Sequence, residues 1–172
     1  MREKQIHEVS DTVQLRELYE TAFPKEEQIP WDELTRLVVE MPLDFTAHYD
    51  NDTFIGLTIV YPRKSINWFW YFAVREELRG KGYGQEILTS LIKRHDGKPF
   101  ILDMESPDQP CDNMEQRVRR HSFYKRNGFR DTNVYRSFDG ITYTIMMRGE
   151  GKFTKDDYDE IIEDLRRFWQ PE

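Results

Sequence analysis

The sequence has little cysteine: one residue, Cys111, in 172. A single thiol excludes an internal disulfide framework and fits a reducing compartment. No apolar run approaches the ~20 residues that span a bilayer. The opening stretch "MREKQIHEVSD" is charged and has no apolar signal core. The expectation is a cytoplasmic protein with no membrane partner. Positive charge is also scarce: 25 Lys and Arg stand against 32 Asp and Glu, a net charge of −7. That balance argues against a nucleic-acid partner and favours approach of a cationic small molecule or basic peptide. Four histidines and one cysteine show no metal-ligand spacing, so no metal is expected. No repeat or low-complexity tract is visible. Two familiar glycine loops are missing as well. No GK[ST] ending is present, which excludes a nucleotide-triphosphate P-loop. The G-x-G-x-x-G fingerprint fails because Gln85 stands where its third glycine belongs.

What is present is a change of period along the chain. Asp11 to Phe23 has apolar residues at helical spacing, with Ser10 or Asp11 as cap and Pro24 as stop. A second helix starts at Pro30, carries Leu34, Leu37, Val38 and Met41, and ends at Pro42. "DFTAHYD" and "FIGLTIVY" then read as strands joined by the polar turn "DNDT". "SINWFWYFAV" reads as a central strand buried on both faces. A helix follows from about Gly82 to Arg94, then the strand "FILDME". Pro107 and Pro110 break the chain. A helix from about Asp112 to Asn127 is closed by Gly128 in a left-handed cap. "TNVYRSF", the turn "DG" and "ITYTIMMR" form a hairpin. The last segment, from Thr154 to Trp169, places Tyr158, Ile161, Ile162, Leu165, Phe168 and Trp169 on one helical face. The order α-α-β-β-β-α-β-α-β-β-α defines a mixed α/β fold. The unit from 65 to 105 is a right-handed crossover, which makes its two strands parallel.

The segment "LRGKGYGQEIL" puts glycines at 80, 82 and 84 directly before a helix. Each costs helix stability by roughly 0.8–1.0 kcal/mol relative to alanine. Two readings explain them. One is a sharp strand-to-helix turn with no ligand. The other is an anion cradle: a helix N-terminus exposes unpaired amides and the positive end of the dipole, and glycines let a phosphate reach them. Arg79 and Lys81 add cationic charge at the same place.

"RGKGYG", Arg79 to Gly84, resembles the R/Q-x-x-G-x-G/A motif of the GCN5-related N-acetyltransferases, and "FYKRNGF", Phe123 to Phe129, resembles that family's "FYxxxGF" segment. The two motifs occur in order, about 40 residues apart with one strand between them, and the similarity in element order runs from the first helix to the last hairpin. The resemblance implies one acetyl-CoA-binding domain over 1–150, with a C-terminal helical extension over 151–172 packed on it. It implies a central mixed sheet with a splayed parallel strand pair. It places the cofactor's pyrophosphate on the backbone of Arg79, Gly80, Lys81, Gly82, Tyr83 and Gly84. Phe72, Ala73 and Val74 match the strand positions that meet the pantetheine arm. A homodimer is common in the family.

Acetyl transfer to an amine needs a neutral nitrogen, although a free alkylammonium has a pKa near ~10. It needs a base, a donor for the developing oxyanion, and help for the departing thiolate. Tyr124 matches the motif tyrosine near the cofactor sulfur and is the acid candidate; its alternative is core packing. Some relatives carry a glutamate on the central strand, where this chain has Asn67, Trp68, Phe69 and Trp70. Glu105 is therefore the first candidate base, with Asp103 on the same face of its strand. Its alternatives are a solvated strand end or a pair with an arginine of the next helix. His121, His48 and Cys111 are weaker candidates. Arg117 stands where many relatives have an asparagine; it reaches the cofactor phosphates, pairs with Glu105, or lies on a solvated face. Trp31, Trp68 and Trp70 either line the acceptor site or fill core. The expected function is an acetyl-CoA-dependent N-acetyltransferase acting on a primary amine of a small molecule or peptide. The rivals are a non-catalytic CoA-binding module and an acyltransferase using another acyl-CoA.

Overall fold

The structure is a computed structural model that describes residues 1–169. Residues 170–172, the end of the expected C-terminal extension, and the Trp169 side chain of the expected apolar stripe lie outside the described residues. The chain is mixed α/β and forms two compact units, Met1–Gly97 and the remainder from Lys98 onward.

The first unit contains strands β1 (Arg2–Gln5), β2 (Asp44–Asp50), β3 (Thr53–Pro62) and β4 (Asn67–Val74), and helices α1 (Val13–Ala22), α2 (Trp31–Glu40) and α3 (Tyr83–Arg94). Its strands pair antiparallel in sequence order. The β2–β3 hairpin turns at Asn51, whose left-handed φ of 52° suits asparagine. Leu15, Leu18 and Tyr19 of α1 are buried, as are Phe45, Leu57 and Ile59 of the sheet and Ile87, Leu88 and Leu91 of α3. Helix α1 lies against β3 and β4. Its start is fixed by Asp11, whose Oδ1 accepts the Val13 amide at 3.0 Å. The tryptophans divide: Trp31 and Trp68 are buried, while Trp70 is half-buried.

Strand β1 is absent from the sequence reading. Its four residues carry no apolar alternation, and polar side chains hold it instead. Gln5 Nε2 donates to Asp44 Oδ1 and to Thr46 Oγ1, both at 2.9 Å. Ser90 of α3 donates to Glu3 at 2.8 Å, and Arg94 lies 3.3 Å from the same carboxylate. Fully buried His48 accounts for the largest part of the lowering of the Glu3 carboxyl to about 2, with Ser90 and Arg94 adding to it against the opposing effect of burial. Its Nδ1 stands 3.5 Å from Glu3, at ion-pair distance.

The second unit contains β5 (Phe100–Glu105), α4 (Met114–Arg126), β6 (Arg130–Phe138), β7 (Ile141–Arg148) and α5 (Lys155–Trp169). Strand β7 pairs antiparallel with both β5 and β6. The β6–β7 hairpin turns at Asp139 and Gly140, with φ of 50° and 75°, the double left-handed geometry that a two-residue "DG" turn provides. Gly128 closes α4 at φ 84°. A reciprocal cap starts α5: Thr154 N donates to Asp157 Oδ2 at 2.7 Å, and Asp157 N donates to Thr154 Oγ1 at 3.3 Å. Phe100, Ile101, Leu102, Ile145, Met146 and Ile161 are among its buried core residues.

Candidate acetyl-CoA site

The glycine segment sits between β4 and α3. A 3-10 turn, Glu76–Leu78, brings the chain off the strand. Gly80 and Gly82 then take φ of 75° and 90°, and Gly82 caps α3. These left-handed turns favour glycine; Gly84, whose φ is not positive, has no such need. A Cβ at residue 80 or 82 would meet no protein atom within 4 Å, so space inside the chain does not explain either glycine. The first backbone amide to find an acceptor after the turn is Gln85, bonding Gly82 O at 3.0 Å. Among the described residues, the amides of Gly80, Lys81, Gly82, Tyr83 and Gly84 donate to nothing in the chain. Five consecutive free donors stand at a helix start, with exposed Arg79 and Lys81 beside them, the donor set that an anion-binding glycine loop needs. Arg79 is steadied by a bond from Nε to the Val74 carbonyl at 3.2 Å. Tyr83, the first residue of α3, donates its hydroxyl to Asp50 Oδ2 at 2.8 Å.

Strand β4 reaches this loop through Phe72, Ala73 and Val74, which pair with Thr58, Leu57 and Gly56 of β3. The register shifts between Ile59 and Val60, which leaves Trp70 as an extra residue in β4. A Cβ on Gly56 would stand 2.4 Å from the Ala73 carbonyl oxygen. Gly56 is therefore what lets β4 lie this close to β3. Sequence reading missed it, because a lone glycine in "FIGLTIV" only weakly signals close backbone approach.

In the second unit, Tyr124 lies on α4 and is 8% exposed. Its ring meets Phe123 and Phe129 of the same motif edge-on or tilted, with centroids 5.3 and 5.4 Å away. Its hydroxyl has no hydrogen-bond partner among the described residues. Burial pushes its pKa up to about 12, so the phenol stays protonated at neutral pH. Glu105 ends β5. Its Oε2 accepts Asn113 Nδ2 at 2.8 Å and Arg117 Nε at 2.9 Å, while Oε1 has no partner among the described residues. Arg117 is 6% exposed and also donates to the Ser106 carbonyl at 3.1 Å. Of the three alternatives for Arg117, the structure takes the pair with Glu105. Asp103 is engaged by Arg136 Nε at 2.6 Å, and that guanidinium lies 4.2 Å from the centre of the Tyr143 ring. His121 is 2.8 Å from Asp131, and His48 is 2.9 Å from Thr58. Neither Asn113 nor Asp50 was legible in the sequence, because their partners are eight and 33 residues away. Among the described residues, no group of three His, Cys, Asp or Glu side chains is placed to hold a metal. No described helix is long and apolar enough to cross a membrane.

Comparison with known proteins bears on the family and the fold. The model of the acetyltransferase (GNAT) domain matches residues 44–131, which include β4, the glycine loop, α3, β5 and α4. A Bacteroides thetaiotaomicron protein described as a GNAT-family acetyltransferase superposes with a TM-score of 0.75 at 25% identity, covering 96% of each chain. An aminoglycoside 6′-N-acetyltransferase complexed with coenzyme A gives 0.65 at 17% identity, covering 86% of this chain and 96% of that one. The Escherichia coli ribosomal-protein-S18-alanine N-acetyltransferase gives 0.61 at 17% identity, covering 89% and 99%. No curated protein sequence matches the chain. The chain belongs to the GNAT acetyltransferase family.

Proposed function

We propose that this protein is an acetyl-CoA-dependent N-acetyltransferase that modifies a primary amine of a small molecule or peptide by direct attack. The observation that carries this reading is the run of five free amides from Gly80 to Gly84, opening α3 beside Arg79 and Lys81. A diphosphate satisfies such donors without a dedicated side chain for each oxygen. Phe72, Ala73 and Val74 offer the strand backbone to the pantetheine arm.

The chemistry assigned to this chain's residues is limited. The attacking ammonium gives up one proton before its nitrogen bonds to the acetyl carbon; as the carbon–sulfur bond breaks and the amide forms, the second proton lost from nitrogen passes to solvent. Glu105 Oε1 takes the first proton, directly or through water, while Asn113 and Arg117 hold Oε2 still. Tyr124 donates a hydrogen bond to the departing sulfur. Full proton transfer from it is disfavoured: a thiol has a pKa near ~8.5, so a phenol at about 12 gives its proton uphill by more than ~3 units. Stabilisation of the thiolate, rather than protonation, is the role that survives this comparison.

The engaged state of Glu105 favours one rival, a CoA-binding module without turnover. Titration calorimetry with acetyl-CoA, CoA and succinyl-CoA, with thiol release measured across an amine panel, separates the readings. The expected result is acetyl-CoA binding and release of free CoA with at least one amine. Binding without release on any amine supports the module. Gly82→Asn tests the cradle itself. Asparagine tolerates left-handed φ, so the fold persists while a side chain enters the space left open. Acetyl-CoA affinity is expected to fall at least about tenfold, about 1.4 kcal/mol. Unchanged affinity in the folded variant contradicts the cradle.

A further inference from the structure

The cradle is fixed at one end by a side chain from a different hairpin. Tyr83 lies between Gly82 and Gly84 and is the first residue of α3. Its hydroxyl donates to Asp50 Oδ2 at 2.8 Å, 33 residues away in sequence. Asp50 closes β2 at the β2–β3 turn, and Asn51 beside it adopts φ 52°. The other Asp50 oxygen, Oδ1, accepts the Asn51 side-chain amide at 3.3 Å. Both carboxylate oxygens are thereby occupied.

We infer that Asp50 is a positioning residue for the cofactor: through Tyr83 it holds the start of α3 so that the amides from Gly80 to Gly84 point together. The argument is one of freedom. Two of the five residues from 80 to 84 sit at positive φ, and none of the five has a backbone bond from its own amide. Glycine supplies the conformation but lets it relax. Apart from Arg79, bonded to the strand that precedes it, the Tyr83–Asp50 bond is the only side-chain tether on this segment among the described residues. A donor array binds a diphosphate best when its geometry is already set, because ordering on binding subtracts from affinity. Asp50 is also an anion near an anion site, an arrangement that charge alone does not favour. Its hydrogen bond explains its place there.

This inference rests on the cradle reading, and the experiment keeps the two apart. The probes are acetyl-CoA and S-acetylpantetheine, which lacks the diphosphate. Asp50→Ala is expected to weaken acetyl-CoA binding five- to twentyfold and leave kcat/KM for S-acetylpantetheine within twofold; Tyr83→Phe is expected to weaken acetyl-CoA binding to the same extent. Asp50→Asn keeps an oxygen that accepts the tyrosine proton, so it retains affinity within threefold. A merely structural loss would depress both substrates together. Wild-type binding combined with unchanged or tighter binding in Asp50→Ala overturns the positioning role and leaves the cradle standing. Absence of acetyl-CoA binding by the wild type removes the cradle and this inference together.

Discussion

Tyr124 carries a hydroxyl that does nothing visible for the fold. The residue is 8% exposed, and the oxygen has no partner among the described residues. The oxygen keeps some contact with solvent, so it does not carry the penalty of a sealed, unpartnered group. Replacing Tyr124 by phenylalanine keeps the ring contacts with Phe123 and Phe129, so stability at pH 7 should hold. Turnover should not hold. A hydrogen bond to a charged sulfur is worth about 1.5–3 kcal/mol, so kcat should fall roughly 10- to 150-fold with acetyl-CoA affinity unchanged. Equal kcat would assign Tyr124 to packing alone. The sign of the pH dependence follows from burial. The folded pKa of about 12 exceeds the unfolded value near 10, so the folded state holds its proton longer. The associated stability is complete below pH ~10 and is lost as pH rises toward ~12, up to about 2–3 kcal/mol. Urea unfolding at pH 9, 10 and 11 should show wild type losing more stability than Tyr124→Phe. Tyr19, raised by burial, contributes to both and cancels in the difference.

At the level of elements, the meeting of β3 and β4 is decided by an absent side chain. Adding one methyl at Gly56 places carbon 2.4 Å from the Ala73 carbonyl oxygen, far inside contact distance. Backbone cannot swing aside as a flexible side chain does, so β4 must shift along Phe72 to Val74. Gly56→Ala should destabilise the protein by about 1–3 kcal/mol, the range for overpacking. Because the displaced residues are those assigned to the pantetheine arm, KM for acetyl-CoA should rise as well. A variant with wild-type melting temperature and KM would show that the strands are not held at this spacing. The same element shows what a sequence conveys. Apolar spacing exposed α1, α2 and α5, while apolar runs and the Pro, Gly and turn residues that bound them exposed α3, α4 and β2 to β7. It did not expose β1, whose residues "REKQ" are held by Asp44, Thr46 and Ser90. Left-handed φ was legible where the sequence offers glycine or "DG": at 80, 82, 128 and 139–140. Glu105 was legible as a candidate and its pair with Arg117 as one of the alternatives, but its bond from Asn113 was not, since that depends on where the following helix begins. Asp50 lay beyond reach for the same reason: nothing local to "DNDT" points to a tyrosine at 83.

For the whole molecule, the relevant quantity is charge. The net −7 belongs to the chain, while Arg79 and Lys81 place two cations beside the cradle amides. A cationic acceptor is therefore drawn by the long-range field of the whole molecule, whereas an anionic cofactor is attracted only close to the cradle. The distant part of that field fades first with salt, because the Debye length shrinks from ~30 Å at 0.01 M to ~10 Å at 0.1 M. An acceptor drawn in by the whole molecule should lose kcat/KM as salt rises, and the loss should scale with its charge. A diamine should therefore show about twice the logarithmic salt slope of a monoamine of similar length. The comparison is made at saturating acetyl-CoA, so that cofactor binding does not enter the slope. Equal slopes would mean that the acceptor responds only to charges in immediate contact. In that case the excess of acidic residues serves solubility rather than encounter, and selection among amines rests on the groups in contact with the substrate, the place proposed for Glu105.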